Sequence, residues 1–182
     1  INKVVSSSSD KAVSVEDYSN TSIAVANKVL PSVVGITVTY SVNSPYYSYY
    51  GMSEGTAKAT GSGVVITDDG YVLTNNHVVS SSSSSSYYQV SKATKITVTL
   101  YNDTTEYEAK LVGSDEQTDL AVLKIEKTGL TAAELGDSSK VQVGEFAMAI
   151  GNPLNMASTV TTGVISATNR TITSDNVTYK VI

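Results

Sequence analysis

From Val33 onward the chain is written in short period-two stretches rich in Val, Ile and Thr: residues 33–40, 63–67, 71–74, 95–101, 105–114 and 120–125. Such alternation, with β-branched residues on one side, builds strands that bury one face. Asp68-Asp69-Gly70 lies between two of the stretches and is a hairpin signal, and Asn102-Asp103 marks another turn. Six short strands in succession with almost no helix between them predict a small closed antiparallel barrel. Residues 43–60 and the serine run 80–86 interrupt the series and are expected to be long loops. The first of these carries Tyr46, Tyr47, Tyr49 and Tyr50.

Upstream, residues 1–14 are polar and Ser-rich, too poor in apolar surface to order themselves, and are expected to form a tail. Residues 15–30 place Ile23, Ala26, Val29 and Leu30 at helical spacing, Ser14 and Asp17 form an N-cap pair, and Pro31 enforces a stop. Downstream, 145–150, 159–168 and 177–182 begin a second strand set. Three strands cannot close a barrel of this kind. The expected organisation is therefore a tail (1–14), a helix (15–30), a first barrel (31–126), and a linker with half of a second barrel (127–182).

Composition removes several function classes. The 182 residues contain no Cys and a single His, so thiolate metal sites, disulfide frameworks and two-histidine metal motifs are excluded. Net charge is -5 and no Lys/Arg cluster occurs, which argues against nucleic acid as a partner. No apolar run reaches the roughly 18 residues of a membrane span. The first residue is Ile1, and a processed product that has lost a leader or anchor is the expectation.

The lone histidine, His77, stands where a strand gives way to a loop in Thr74-Asn75-Asn76-His77-Val78-Val79. With an unperturbed pKa of about 6.5, a histidine is suited to general-base work, although a strand-end His is often incidental. Asp119 opens the run Leu120-Ala121-Val122-Leu123-Lys124-Ile125, a common place for a turn aspartate. A barrel closing on itself would return it to His77, where its carboxylate could fix the imidazole tautomer.

These words, taken together, resemble the HtrA/DegP family of trypsin-like serine proteases. The matching stretches are Gly61-Ser62-Gly63-Val64-Val65-Ile66 with Asp69-Gly70-Tyr71-Val72-Leu73-Thr74-Asn75-Asn76-His77-Val78-Val79, then Thr118-Asp119-Leu120-Ala121-Val122-Leu123-Lys124-Ile125. Leu135-Gly136-Asp137, Ala149-Ile150-Gly151-Asn152-Pro153 and Thr161-Thr162-Gly163-Val164-Ile165-Ser166 come after them in the family's order.

The resemblance implies an all-β, chymotrypsin/trypsin-like pair of six-stranded barrels with the active site in the cleft between them, the second barrel incomplete here. It makes His77 the general base and acid and Asp119 its orienting partner. The nucleophile should be a serine in a Gly-Asn-Ser-Gly-Gly word, which is absent and is expected beyond Ile182, leaving the chain inactive by itself. Gly136-Asp137-Ser138 is a decoy, because Ser139 and Lys140 stand where the oxyanion turn needs glycines.

By the same resemblance no cofactor is needed and the substrates are unfolded proteins or peptides. A homo-oligomer, a trimer in the family, is expected, as are the downstream part of the protease domain and an extracytoplasmic location at the cell surface or in a bacterial periplasm, with or without an anchor. A non-catalytic chaperone or peptide-binding module on the same fold is the alternative. Gly151-Asn152-Pro153 reads as a turn after a buried strand. The Asn-x-Ser/Thr triplets at Asn20, Asn102, Asn169 and Asn176 are given no function.

Overall fold

The computed structural model of the chain describes residues 14–43, 55–80, 89–152, 158–174 and 177–181. The tail up to residue 13, the tyrosine cluster Tyr46–Tyr50 and the serine run from residue 81 lie outside the described residues.

Helix α1 spans Val15–Val29. It starts where the sequence places it: the Ser14 hydroxyl accepts from the Asp17 amide at 3.0 Å, and the Asp17 carboxylate accepts in return from the Ser14 amide at 3.2 Å. A 3-10 turn, Leu30–Ser32, carries Pro31 and ends it. The apolar face expected of α1 is not buried: no residue of the helix is buried, and Ile23 is 56% exposed. Tyr18 meets the Phe146 ring edge-on at 5.5 Å.

Six strands then form one closed barrel: β1 (Val33–Asn43), β2 (Gly55–Val65), β3 (Tyr71–Asn75), β4 (Gln89–Thr99), β5 (Glu106–Asp115) and β6 (Leu120–Ile125). The order around it is β1-β2-β3-β6-β5-β4, closed by antiparallel pairing of β4 with β1. Val34, Ile36, Val38, Val65, Val72, Val98, Leu123 and Ile125 fill its interior, each with essentially no exposed surface.

The turn between β2 and β3 holds the hairpin signal. Gly70 adopts φ +107°, which a side chain would strain, and a Cβ there would also strike the Ile125 carbonyl. The expected loop over 43–60 is corrected at its C-terminal end, because residues from Gly55 onward belong to β2 and pair with β1 from Val42↔Gly55 to Val33↔Val64. Gly55, Ala57, Ala59, Gly61 and Gly63 are too small to produce an apolar alternation, so the pairing itself, rather than burial of large side chains, makes this strand.

Beyond the barrel, β7 (Phe146–Gly151) pairs with β8 (Thr159–Val164), and β9 (Arg170–Ser174) pairs with β10 (Val177–Val181), as two separate two-stranded sheets. β8 stops short of the expected residue 168, and β9 has no counterpart in the sequence reading. Nor is β7 the buried strand expected before Gly151-Asn152: Phe146 is 37% exposed, and Val164 on the paired β8 is 62% exposed.

Candidate active site

The site is built where β3 ends. Asn75 pairs with Leu120 at the last rung of the antiparallel β3–β6 ladder, so the residues just after Asn75 lie beside those just before Leu120. On the β3 side stands a single helical turn, α2 (Asn76–Val79), in place of the expected loop, and on the β6 side stands Asp119. Val79 anchors the turn with 5% exposure, and Val78 lies so close to β2 that a Cβ on Gly61 would come within 2.6 Å of it. Gly61 thus leaves the room in which the turn settles, and the turn presents His77 outward.

Asp119 adopts φ +54°, a left-handed conformation that Asp tolerates better than most residues. Its Oδ1 accepts from the His77 amide at 2.9 Å, and its Oδ2 lies 2.7 Å from His77 Nδ1. Its carbonyl accepts from the Asn76 amide at 3.0 Å. The Asn75 side-chain amide donates to both the Asp119 carbonyl and Oδ2, each at 3.1 Å. The two side chains are not equally open to water: His77 is 72% exposed and Asp119 25%.

Burial alone would raise the Asp119 carboxyl, but the hydrogen bonds from the His77 amide and ring, the charge of His77 and the Asn75 amide outweigh it. The carboxyl is held below its ordinary value. An ionised carboxylate only accepts, so the neutral imidazole carries its proton on Nδ1 and leaves Nε2 as a lone-pair acceptor. A group that can take a proton is thereby presented at the exposed edge of the ring.

An open cleft of about 480 Å³ runs beside His77, walled by Thr60, Gly61, Ser62, Asn75 and Val78. Its Ser62 wall is tied to the second half of the chain, since the Asn152 amide donates to the Ser62 hydroxyl at 2.7 Å, and to β3, since Thr74 Oγ1 donates to the Ser62 carbonyl at 2.8 Å. Ser138, the decoy serine, opens a 3-10 turn whose Asp137 carboxylate accepts from the Ser139 amide and hydroxyl. Among the described residues no group of His, Asp and Glu is arranged to hold a metal ion.

The sequence singles out His77 and Asp119, and the structure brings them together. Asn75, Ser62 and Asn152 are site residues that sequence reasoning does not single out. Asn75 stands two positions before His77, but its partner is 44 positions away and only the β3–β6 register reveals it. Nothing in the sequence points from Ser62 to Asn152.

The profile of the trypsin-like peptidase domain family matches residues 61–181. A probable periplasmic serine endoprotease, DegP-like, from Marinomonas sp. is 47% identical over 68% of this chain, and a probable periplasmic serine protease, do/HhoA-like, from Haemophilus influenzae is 46% identical over 71%. The chain spans about a quarter of the length of these relatives, 24% and 26% respectively.

Among solved structures, a variant of the HtrA-type protease AlgW with a decapeptide superposes with a TM-score of 0.70 at 33% identity, over 87% of this chain and 48% of that one. AlgW with a tripeptide gives 0.61 at 36% identity, over 80% and 39%. The barrel closure, the His77–Asp119 pair at the end of β3 and these likenesses converge: the chain belongs to the trypsin-like peptidase domain family, in its HtrA/DegP branch.

Proposed function

We propose that this chain carries the acid–base half of an HtrA-type serine endopeptidase that hydrolyses peptide bonds in unfolded or misfolded proteins outside the cytoplasm. The observation that carries the reading is the 2.7 Å contact between Asp119 Oδ2 and His77 Nδ1, with the carboxyl held in its ionised form. The relatives' names, serine proteases of the periplasm, support the reaction type and the compartment. The peptide complexes of the AlgW structures support a polypeptide substrate.

In this reading Nε2 of His77 takes the proton of a serine hydroxyl as its oxygen attacks the scissile carbonyl, and Asp119 balances the imidazolium that forms. His77 then gives the proton to the leaving amine, and the acyl-enzyme that remains is opened by water through the same exchange. The serine belongs, on this account, to a glycine-flanked word that residues 1–182 do not contain, and it comes to His77 from elsewhere in the protein. Exposed Val15, Tyr18 and Ile23 on α1 offer apolar surface for the expected homo-oligomer.

The test is cleavage of an unfolded protein, such as reduced and alkylated casein, by the protein at its natural length. Cleavage by the wild type and none by His77→Ala supports the reading. Tight binding of the same substrate without cleavage would replace it with a peptide-binding or chaperone module.

A further inference from the structure

Asp119 receives hydrogen bonds from three consecutive residues, and they do different things. Asn76 and His77 use backbone amides whose positions are set by the chain's path through α2. Asn75 uses a side chain, and that side chain reaches two atoms of one residue: the Asp119 main-chain carbonyl and the Oδ2 that faces His77, both at 3.1 Å. Between those two targets lie the torsions that decide where the carboxylate points. Asp119 also holds a left-handed φ of 54°, a conformation that persists where the surroundings over-determine it.

The geometry points to Asn75 as the positioning residue of the acid–base pair: its amide locks the Asp119 backbone and carboxylate together, so that Oδ2 stays aimed at His77 Nδ1. Asn75 is itself exposed, so it is not there to fill the core. Its contribution to global stability is correspondingly small, because an exposed hydrogen bond largely replaces one to water. The consequence of losing it falls on the His77–Asp119 alignment. The same amide also helps to hold the carboxyl ionised.

The inference rests on the protease reading for its kinetic consequence and on geometry alone for its spectroscopic one, and the experiment uses both. The natural-length protein is compared with Asn75→Ala and Asn75→Asp, the second nearly isosteric but unable to donate when ionised. Turnover of an unfolded casein substrate should fall on the order of tenfold to hundredfold in Asn75→Ala, with KM within about twofold of wild type. In Asn75→Asp it should fall further, since a second carboxylate then faces Oδ2.

In protein labelled with ¹⁵N-histidine, the His77 Nδ1–H signal, assigned by its loss in His77→Gln, should be sharp in the wild type. It should be broadened by solvent exchange in both Asn75 variants. A wild-type protein that cuts nothing defeats the protease reading, and the Nδ1–H signal still decides the role of Asn75. Retention of that signal in Asn75→Ala overturns the inference. So does full activity of Asn75→Asp, which would make side-chain size the requirement, and so does failure of Asn75→Ala to fold, which would make Asn75 a residue of the fold.

Discussion

The Asp119 carboxylate engages His77 through both of its oxygens, Oδ1 with the backbone amide and Oδ2 with ring Nδ1, so one side chain fixes both where the imidazole sits and which tautomer it adopts. Replacing Asp119 by Asn keeps the shape and inverts the chemistry, because the amide NH₂ turned toward Nδ1 favours the tautomer protonated on Nε2, which cannot accept the serine proton. In trypsin the equivalent change lowers turnover by about 10⁴-fold. A loss of that order is expected for Asp119→Asn in the natural-length protein, with the fold retained by circular dichroism. Near-normal turnover would remove Asp119 from the mechanism.

The same carboxylate makes stability depend on pH in a definite direction. Its folded-state pKa is depressed, so its contribution is fully present above the ordinary carboxylate range, about pH 4 in the unfolded chain, and disappears as pH falls through the lower folded value. Urea midpoints of wild type and Asp119→Asn should therefore differ more in favour of the wild type at neutral pH than at about pH 2 to 3. A difference independent of pH would mean that the folded protein leaves the Asp119 carboxyl undisturbed.

Much of the barrel is legible in the sequence, and the elements that are not share a common cause. β6 is legible to the residue because the turn residue Asp119 precedes the apolar run Leu120-Ala121-Val122-Leu123-Lys124-Ile125, of which the structure buries Ala121, Leu123 and Ile125. The first residues of β2 are not, because Thr56, Ala57, Lys58 and Ala59 bury little and are strand only through their pairing with β1. His77 stands out as the single histidine, and Asp119 because its neighbours, like those of His77, form a recognisable word. Asn75 and Ser62 act through partners 44 and 90 positions away, and such pairings exist only once the strand registers are known.

Two glycines with positive φ separate strain from steric conflict. Gly70 (φ +107°) would place a Cβ against the Ile125 carbonyl and 2.9 Å from the Lys127 carbonyl, whereas Gly129 (φ +73°) has nothing within 4 Å of that position. Gly129→Ala should cost about 1 to 2 kcal/mol, the strain alone. Gly70→Ala should cost about 3 kcal/mol or more, since rigid main chain must also move. Equal losses in chemical denaturation would show that the β2–β3 turn yields more readily than its packing implies.

The bridge from Asn152 to Ser62 gives the last prediction. Among the described residues the Asn152 backbone amide has one acceptor, the Ser62 hydroxyl at 2.7 Å, in a residue only 9% exposed. Ser62→Ala removes that acceptor and leaves a buried N–H unpaired, at a cost of about 1 to 3 kcal/mol. The Asn152 side-chain Oδ1 is different, because it is already buried without a partner among the described residues, so its desolvation is already incurred in the native state. Asn152→Ala should thus destabilise less than Ser62→Ala, although it deletes more atoms. Hydrogen exchange of the residue 152 amide supplies a local readout: fast exchange in Ser62→Ala with wild-type exchange in the β3–β6 ladder would place the damage at the link between barrel and second half. Unchanged exchange at residue 152 would mean that another group takes over from the Ser62 hydroxyl, and the wall of the cleft beside His77 would not depend on this contact.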